Sequence, residues 1–229
     1  MKETTIIILL TSVWMSNIFF ISCGIYPEGL HPNKTTTCDE FSKFARFNPY
    51  SVLSDEWMVF YYWAPPQAPM IVKFSVPRKI HIDYLKYILE GHVLEPIDWT
   101  AKSLLMTERN NRTYFLVEQS DRGHYLLYEP YKGLKEGDII DAVDVRIKQT
   151  GDNRYIGIMA CEAQTVFMFA RVNDVPKRKY IQIEAARLNY KGRGGRSYLY
   201  QGHQWMPMPE AEDNHFEHVL NNRDKYSHN

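Results

Sequence analysis

The chain has 229 residues, with 27 basic and 27 acidic side chains and a formal net charge of zero. That balance excludes the strong long-range attraction that draws a protein to nucleic acid or to an anionic membrane surface. The length and a 45% hydrophobic content suit one domain with a full core.

Residues 1–23 are the first predicted element. Lys2 precedes an uncharged apolar run, Ile6 to Ser22, that ends at small residues Ser22, Cys23 and Gly24. This is the pattern of a cleaved secretory signal. A membrane anchor is the competing reading, but Thr11, Ser12, Ser16 and Asn17 interrupt the run. Residues 24–55 form an N-terminal extension with proline and polar punctuation. Its cluster Phe41, Phe44 and Phe47 suggests one helical turn at the end of a larger body.

Strand candidates follow from Glu56. Glu56–Trp63 is aromatic and β-branched, with Pro65-Pro66 after it, and Pro69–Val76 ends before Pro77. Ile80–Leu94 fits two periods. Ile82, Leu85, Ile88 and Leu89 have helix spacing, whereas Ile80, Ile82 and Tyr84 alternate as in a strand. Lys102–Arg109, Thr113–Gln119 and His124–Glu129 are the next strands, with turn residues at Asn110-Asn111 and Asp121-Arg122-Gly123. In Ile139–Lys148, Val143, Val145 and Ile147 alternate with Asp144, Arg146 and Lys148, so one face is wet. Arg154–Cys161 and Thr165–Arg171 complete about eight strands. Local, hairpin-length connections favour an up-and-down antiparallel barrel over a parallel sheet, which needs helical crossovers. The fold class is therefore all-β, an eight-stranded up-and-down antiparallel barrel over residues 56–172.

Residues 173–200 change character. Lys177-Arg178-Lys179 leads into Tyr180–Tyr190, a short helix or an extra strand, and then the basic, glycine-rich stretch Lys191–Arg196. From 201 to 229 the composition predicts a disordered tail, with no regular element before Glu210.

After loss of Cys23 with the signal, Cys38 and Cys161 remain. An even pair in an oxidising compartment makes a disulfide the default, with two buried thiols as the alternative. Asn33-Lys34-Thr35 and Asn111-Arg112-Thr113 are sequons where surface loops are expected, which nominates Asn33 and Asn111 for glycosylation.

Two stretches carry a resemblance. One is NPYSVLSDEWMVFYYW, Asn48 to Trp63; the other is TGDNRYIGIMACEAQTVFMFAR, Thr150 to Arg171. A polar turn leads to Trp57 at the start of a strand. A corner with Asp152 and Tyr155 precedes a strand that Cys161 closes, and Arg171 closes the next. This arrangement resembles the lipocalin family, in its secreted arthropod-type form. In that family a tryptophan opens the first barrel strand, a TDY-like corner precedes the seventh, and an arginine ends the eighth. The resemblance implies that Trp57 lies across the closed end of the barrel with the Arg171 guanidinium stacked on it. It also implies that Asp152 fixes the corner and that the Cys38–Cys161 bridge joins the N-terminal arm to the seventh strand. The family motif has glycine two residues before the tryptophan. Here Asp55 stands there, a residue that tolerates left-handed backbone better than most.

The resemblance implies a carrier of a small hydrophobic ligand, such as a pigment, retinoid, lipid or amine. An eight-stranded barrel can hold one such molecule. Alternation counted from Trp57 and from Val143 nominates Val59, Tyr61, Met106, Phe115, Val117, Tyr125, Val143, Val145, Ile158 and Phe167 as its lining. A one-residue slip reverses each such assignment. The alternative is a non-enzymatic interaction protein whose closed barrel binds a macromolecule through loops or the basic segment. No nucleophile elbow, phosphate loop, HExxH or paired-cysteine motif occurs, so no enzyme, cofactor or metal is expected. His215 and His218 sit three apart in the tail with no further ligand in an ordered frame.

Overall fold

The computed structural model describes residues 35–64, 70–119, 121–131, 133–192, 195–197, 200–201 and 204–205. The predicted signal, the Asn33 sequon and residues 206–229 lie outside them. No helix among the described residues is long and apolar enough to cross a membrane.

Eight strands close into one antiparallel barrel in sequence order: β1 Glu56–Trp63, β2 Ile71–Ser75, β3 Ser103–Glu108, β4 Thr113–Glu118, β5 His124–Tyr128, β6 Val143–Gln149, β7 Tyr155–Ala160 and β8 Thr165–Arg171. β1 pairs with β8, so no edge strand is left open. Among the described residues, three α-helices lie at the barrel: α1 Cys38–Ser42, α2 Lys79–Leu89 and α3 Ile181–Ala186. The ambiguous segment after β2 is thus helical. α2 buries Leu85 and Leu89, which fits the spacing of the helical reading. α3 stands where a helix or a strand fitted the sequence.

Cross-strand partners share a face, so the ladders sort every side chain. One face runs through Trp57, Val72, Glu108 and Met106, then Tyr114, Leu116, Leu127, Val143, Ile158 and Phe167. The other carries Glu56 and Lys73, His124 and Arg146, and Asp144. Charge places the second face outside and the first in the barrel interior.

Much of the outer wall is nevertheless dry. α2 lies with Leu105, Phe115, Val117 and Tyr128 in one cluster of buried apolar side chains. Trp99 stacks on Phe115 at 5.7 Å between ring centroids. On the far side, Leu188 meets Gly157 so closely that an added Cβ would lie 2.3 Å from Leu188 Cδ1. The N-terminal arm is covalently fixed: Cys38 and Cys161 form a disulfide with Cα atoms 5.6 Å apart. Thr37 caps α1, its side chain accepting from the Glu40 amide. Phe41 is buried beneath this helix. Phe47 is buried too, whereas Phe44 is 89% exposed, so the three phenylalanines do not act as one cap.

Part of the basic segment is also tied down. Arg196 and Tyr62 exchange two backbone hydrogen bonds; the Lys191 carbonyl accepts from the Thr36 amide, and the Lys191 amide donates to the Thr36 hydroxyl. Gly195 lies against Tyr61 and Trp63, where a Cβ would be 2.4 Å from the indole Nε1. Only a residue without a side chain fits that approach. Beyond it, β9 Tyr200–Gln201 pairs with β10 Gln204–Trp205. This two-residue ladder occupies a place where the sequence predicts no regular element.

Candidate functional site: the barrel interior

The closed end is built around Trp57, which is 0% exposed. Its indole Nε1 donates to the Val52 carbonyl at 2.9 Å. The Arg171 guanidinium stacks on its ring, 4.5 Å from the centroid. Arg171 Nε donates to Asp55 at 2.7 Å, and its two terminal nitrogens donate to the carbonyls of Asn153 and Ser51 at 3.3 Å each. A planar five-donor head suits this simultaneous stacking and bonding. Asp55 therefore serves as the ion partner of Arg171. The left-handed position in the turn is Ser54, at φ 70°, and not Asp55 as the sequence suggests.

Asp152 holds the corner before β7. It accepts from the Thr150 hydroxyl at 2.7 Å and from the Arg154 amide at 3.2 Å, and it pairs with Arg187 after α3. Burial pushes its carboxyl upward, but these hydrogen bonds and the Arg187 charge outweigh burial and hold it below the usual range. The same corner anchors residues 46–51. Arg46 accepts from the Gln149 amide at 2.7 Å, and the Gln149 side chain bonds Asn48 and Ser51. Phe47 packs edge-on against Tyr125, 5.9 Å between centroids. Together these residues plug one end of the barrel.

Exposure along the interior face is graded. At the plugged end Trp57, Leu104, Tyr125, Ile147 and Phe169 are buried. At the other end Tyr114, Leu127, Val143, Thr165 and Phe167 are only half-buried. These come from β4, β5, β6 and β8, so the half-exposed positions span much of the circumference. The opposite end thus forms a mouth. Its walls are apolar apart from Thr165 and one polar pair. Tyr114 Oη donates to Glu108 Oε1 at 2.7 Å, and Glu108 is 9% exposed. Burial first, then the hydrogen bond to Glu108, pushes the Tyr114 phenol up, so it is a neutral donor at physiological pH.

Seven of the ten nominated lining residues face this interior. Val59, Met106, Val145 and Ile158 are buried within it, Tyr125 lies at the plugged end, and Val143 and Phe167 stand at the mouth. Three do not. Phe115 and Val117 point outward under α2 and Trp99. The helix that covers this wall demands apolar residues on both faces of β4, so hydrophobicity alone cannot fix the register. Tyr61 is outward as well. A β-bulge lies between Val59 and Tyr61 in the pairing with β8, and the extra residue, Phe60, inverts the alternation. Tyr62 takes the inward place, while Tyr61 packs on Trp63 at 4.8 Å and Trp63 on Tyr190 at 5.1 Å.

The residues that sequence reasoning missed are Tyr62, Glu108, Tyr114 and Leu127. A signal existed for one of them. Leu104, Met106 and Glu108 follow each other at a spacing of two, which puts the carboxylate in phase with an apolar face. Among the described residues no group of three or more histidine, cysteine or acidic side chains is placed to hold a metal. Asn111, in the β3–β4 turn, is half-buried at φ 72°. No family model matches the chain. No curated protein matches it either.

Proposed function

We propose that this protein is a secreted, lipocalin-type carrier that holds a small hydrophobic ligand in the mouth of its barrel. The observation that supports this most is the gradient on the interior face. One end is sealed by the Trp57–Arg171 stack, while apolar side chains at the other end are half-exposed. A concave apolar site with a few convergent polar groups is the usual form of a small-molecule site.

The Glu108–Tyr114 pair defines the polar requirement. A ligand with an apolar body and one hydrogen-bond donor, such as an alcohol or an amine, matches an acceptor carboxylate beside a phenol. A wholly apolar ligand would leave that pair undisturbed but gain nothing from it. The Cys38–Cys161 bridge and the sequon at Asn111 support the secretory route.

Native mass spectrometry of protein purified from its own source tests the reading. A retained small molecule at one per chain, released by organic solvent, is the expected result. Bare protein from every source fraction, together with no uptake from a mixed lipid and amine extract, would remove the carrier proposal.

A further inference from the structure

A second recess lies on the outer wall, apart from the mouth. It encloses about 410 Å³ and is floored by Leu126, Tyr128 and Ile140. Two loops frame it. Val93 bridges Ile140 in parallel, and the Ile140 amide donates to the His92 carbonyl at 2.6 Å. Exposed apolar side chains stand at this frame, Leu94 at 72% and Ile139 at 57%. The Cys161 amide donates to the Asp144 carbonyl at 2.9 Å, which sets the β7–β8 turn beside β6.

Its lining charges are all of one sign. Glu95, Asp141, Asp144 and Glu162 line it, and no basic residue does. Asp144 is paired with Arg146, and His124 Nε2 lies 3.1 Å from its carboxylate. Among the described residues, no cation pairs with the exposed carboxylates Glu95, Asp141 or Glu162. In a chain of zero net charge, this is a local excess and not a general property of the surface. The three carboxylates come from separate segments: the loop before β3, the approach to β6, and the turn after β7. Among the described residues no group of three or more histidine, cysteine or acidic side chains is placed to hold a metal ion, so these carboxylates do not converge on one point.

We infer that this groove docks a basic, apolar-containing peptide segment of a partner protein. Several separated cations on one extended chain match several separated carboxylates, and leucine-like side chains match the floor of Leu126, Tyr128 and Ile140 and the exposed Leu94 beside it. Phosphate polymers and anionic membranes carry the wrong sign. A single small cation would need the carboxylates to converge.

A fluorescein-labelled hexapeptide of alternating arginine and leucine, titrated into the full chain by anisotropy, tests this. Saturable one-to-one binding is expected, weakening steeply with salt. Asp141→Asn with Glu162→Gln should weaken it at least tenfold, because both changes are exposed and leave the fold intact. A glutamate–leucine hexapeptide should not bind. Phe167→Arg at the mouth should leave peptide affinity unchanged, which separates this site from the carrier reading. Three results would overturn the inference: no binding of the arginine–leucine peptide, binding indifferent to the double substitution, or arginine amide alone binding as tightly as the peptide.

Discussion

The Trp57–Arg171 contact can be tested by a double-mutant cycle. Trp57 is fully buried and bonded through its indole nitrogen to Val52. Trp57→Ala therefore removes a large core side chain and should cost about 3–5 kcal/mol. Arg171→Ala removes three contributions of unequal size. The stack at 4.5 Å is partly desolvated and is worth about 1–2 kcal/mol. The Asp55 ion pair is substantially exposed on its acidic side, so it adds at most ~1 kcal/mol. The two carbonyl bonds at 3.3 Å are long and weaker than ideal. The single change should cost about 1–3 kcal/mol in total. Only the stack is shared with Trp57, so the cycle should give a coupling of about 1–2 kcal/mol. Urea unfolding followed by tryptophan-independent circular dichroism supplies the four stabilities, provided the m-values agree. A coupling below ~0.3 kcal/mol would show that the ring and the guanidinium do not interact energetically. Asp55→Ala should couple to Arg171→Ala but not to Trp57→Ala.

Other outcomes follow from the same contacts. Replacing Cys38 and Cys161 together by serine should cost about 2–5 kcal/mol through lost loop-closure entropy, read as a fall in Tm; unchanged Tm would show that the bridge contributes nothing. Burial pushes the Lys148 ammonium down to about 8, against the favourable Phe41 ring 4.1 Å away. The folded pKa lies below the unfolded one, so the unfolded chain holds more protons and stability should rise as pH climbs from about 8 toward 10. Above that range the raised phenols of Tyr61, Tyr114 and Tyr125 should reverse the trend, because the folded state then holds more protons. Lys148→Met should abolish the rise, and a Lys148 titration by NMR near its ordinary value would contradict it. Tyr61→Ala should lower stability and leave affinity for an apolar dye unchanged, whereas a selective loss of dye binding would put Tyr61 inside the barrel after all.

The barrel was legible in the sequence because its connections are short and its turns are chemically explicit. Asn110-Asn111 and Asp121-Arg122-Gly123 punctuate strands within three residues of their observed ends. β6 also declared its faces, since Val143, Val145 and Ile147 alternate with the charged Asp144, Arg146 and Lys148. Facing failed where that contrast vanishes. β1 is buried at every position after Glu56, and no polar residue marks the bulge at Phe60. β4 is covered by α2 on one side and the core on the other, so Phe115 and Leu116 look alike in sequence. The mouth was legible only in part for the same reason. Glu108 and Tyr114 meet across the β3–β4 hairpin, and that pairing depends on a register that composition does not supply.

The carrier proposal stands or falls on whether the mouth takes a ligand. Titration of the purified full chain with an environment-sensitive apolar dye, repeated on Phe167→Arg, measures this directly. Saturable one-to-one binding is expected in the parent, with at least a tenfold loss in the variant at unchanged Tm, because a charged side chain would stand in the half-exposed apolar wall. Absence of saturable binding in the parent, or equal affinity in both proteins, would contradict a ligand site at the mouth.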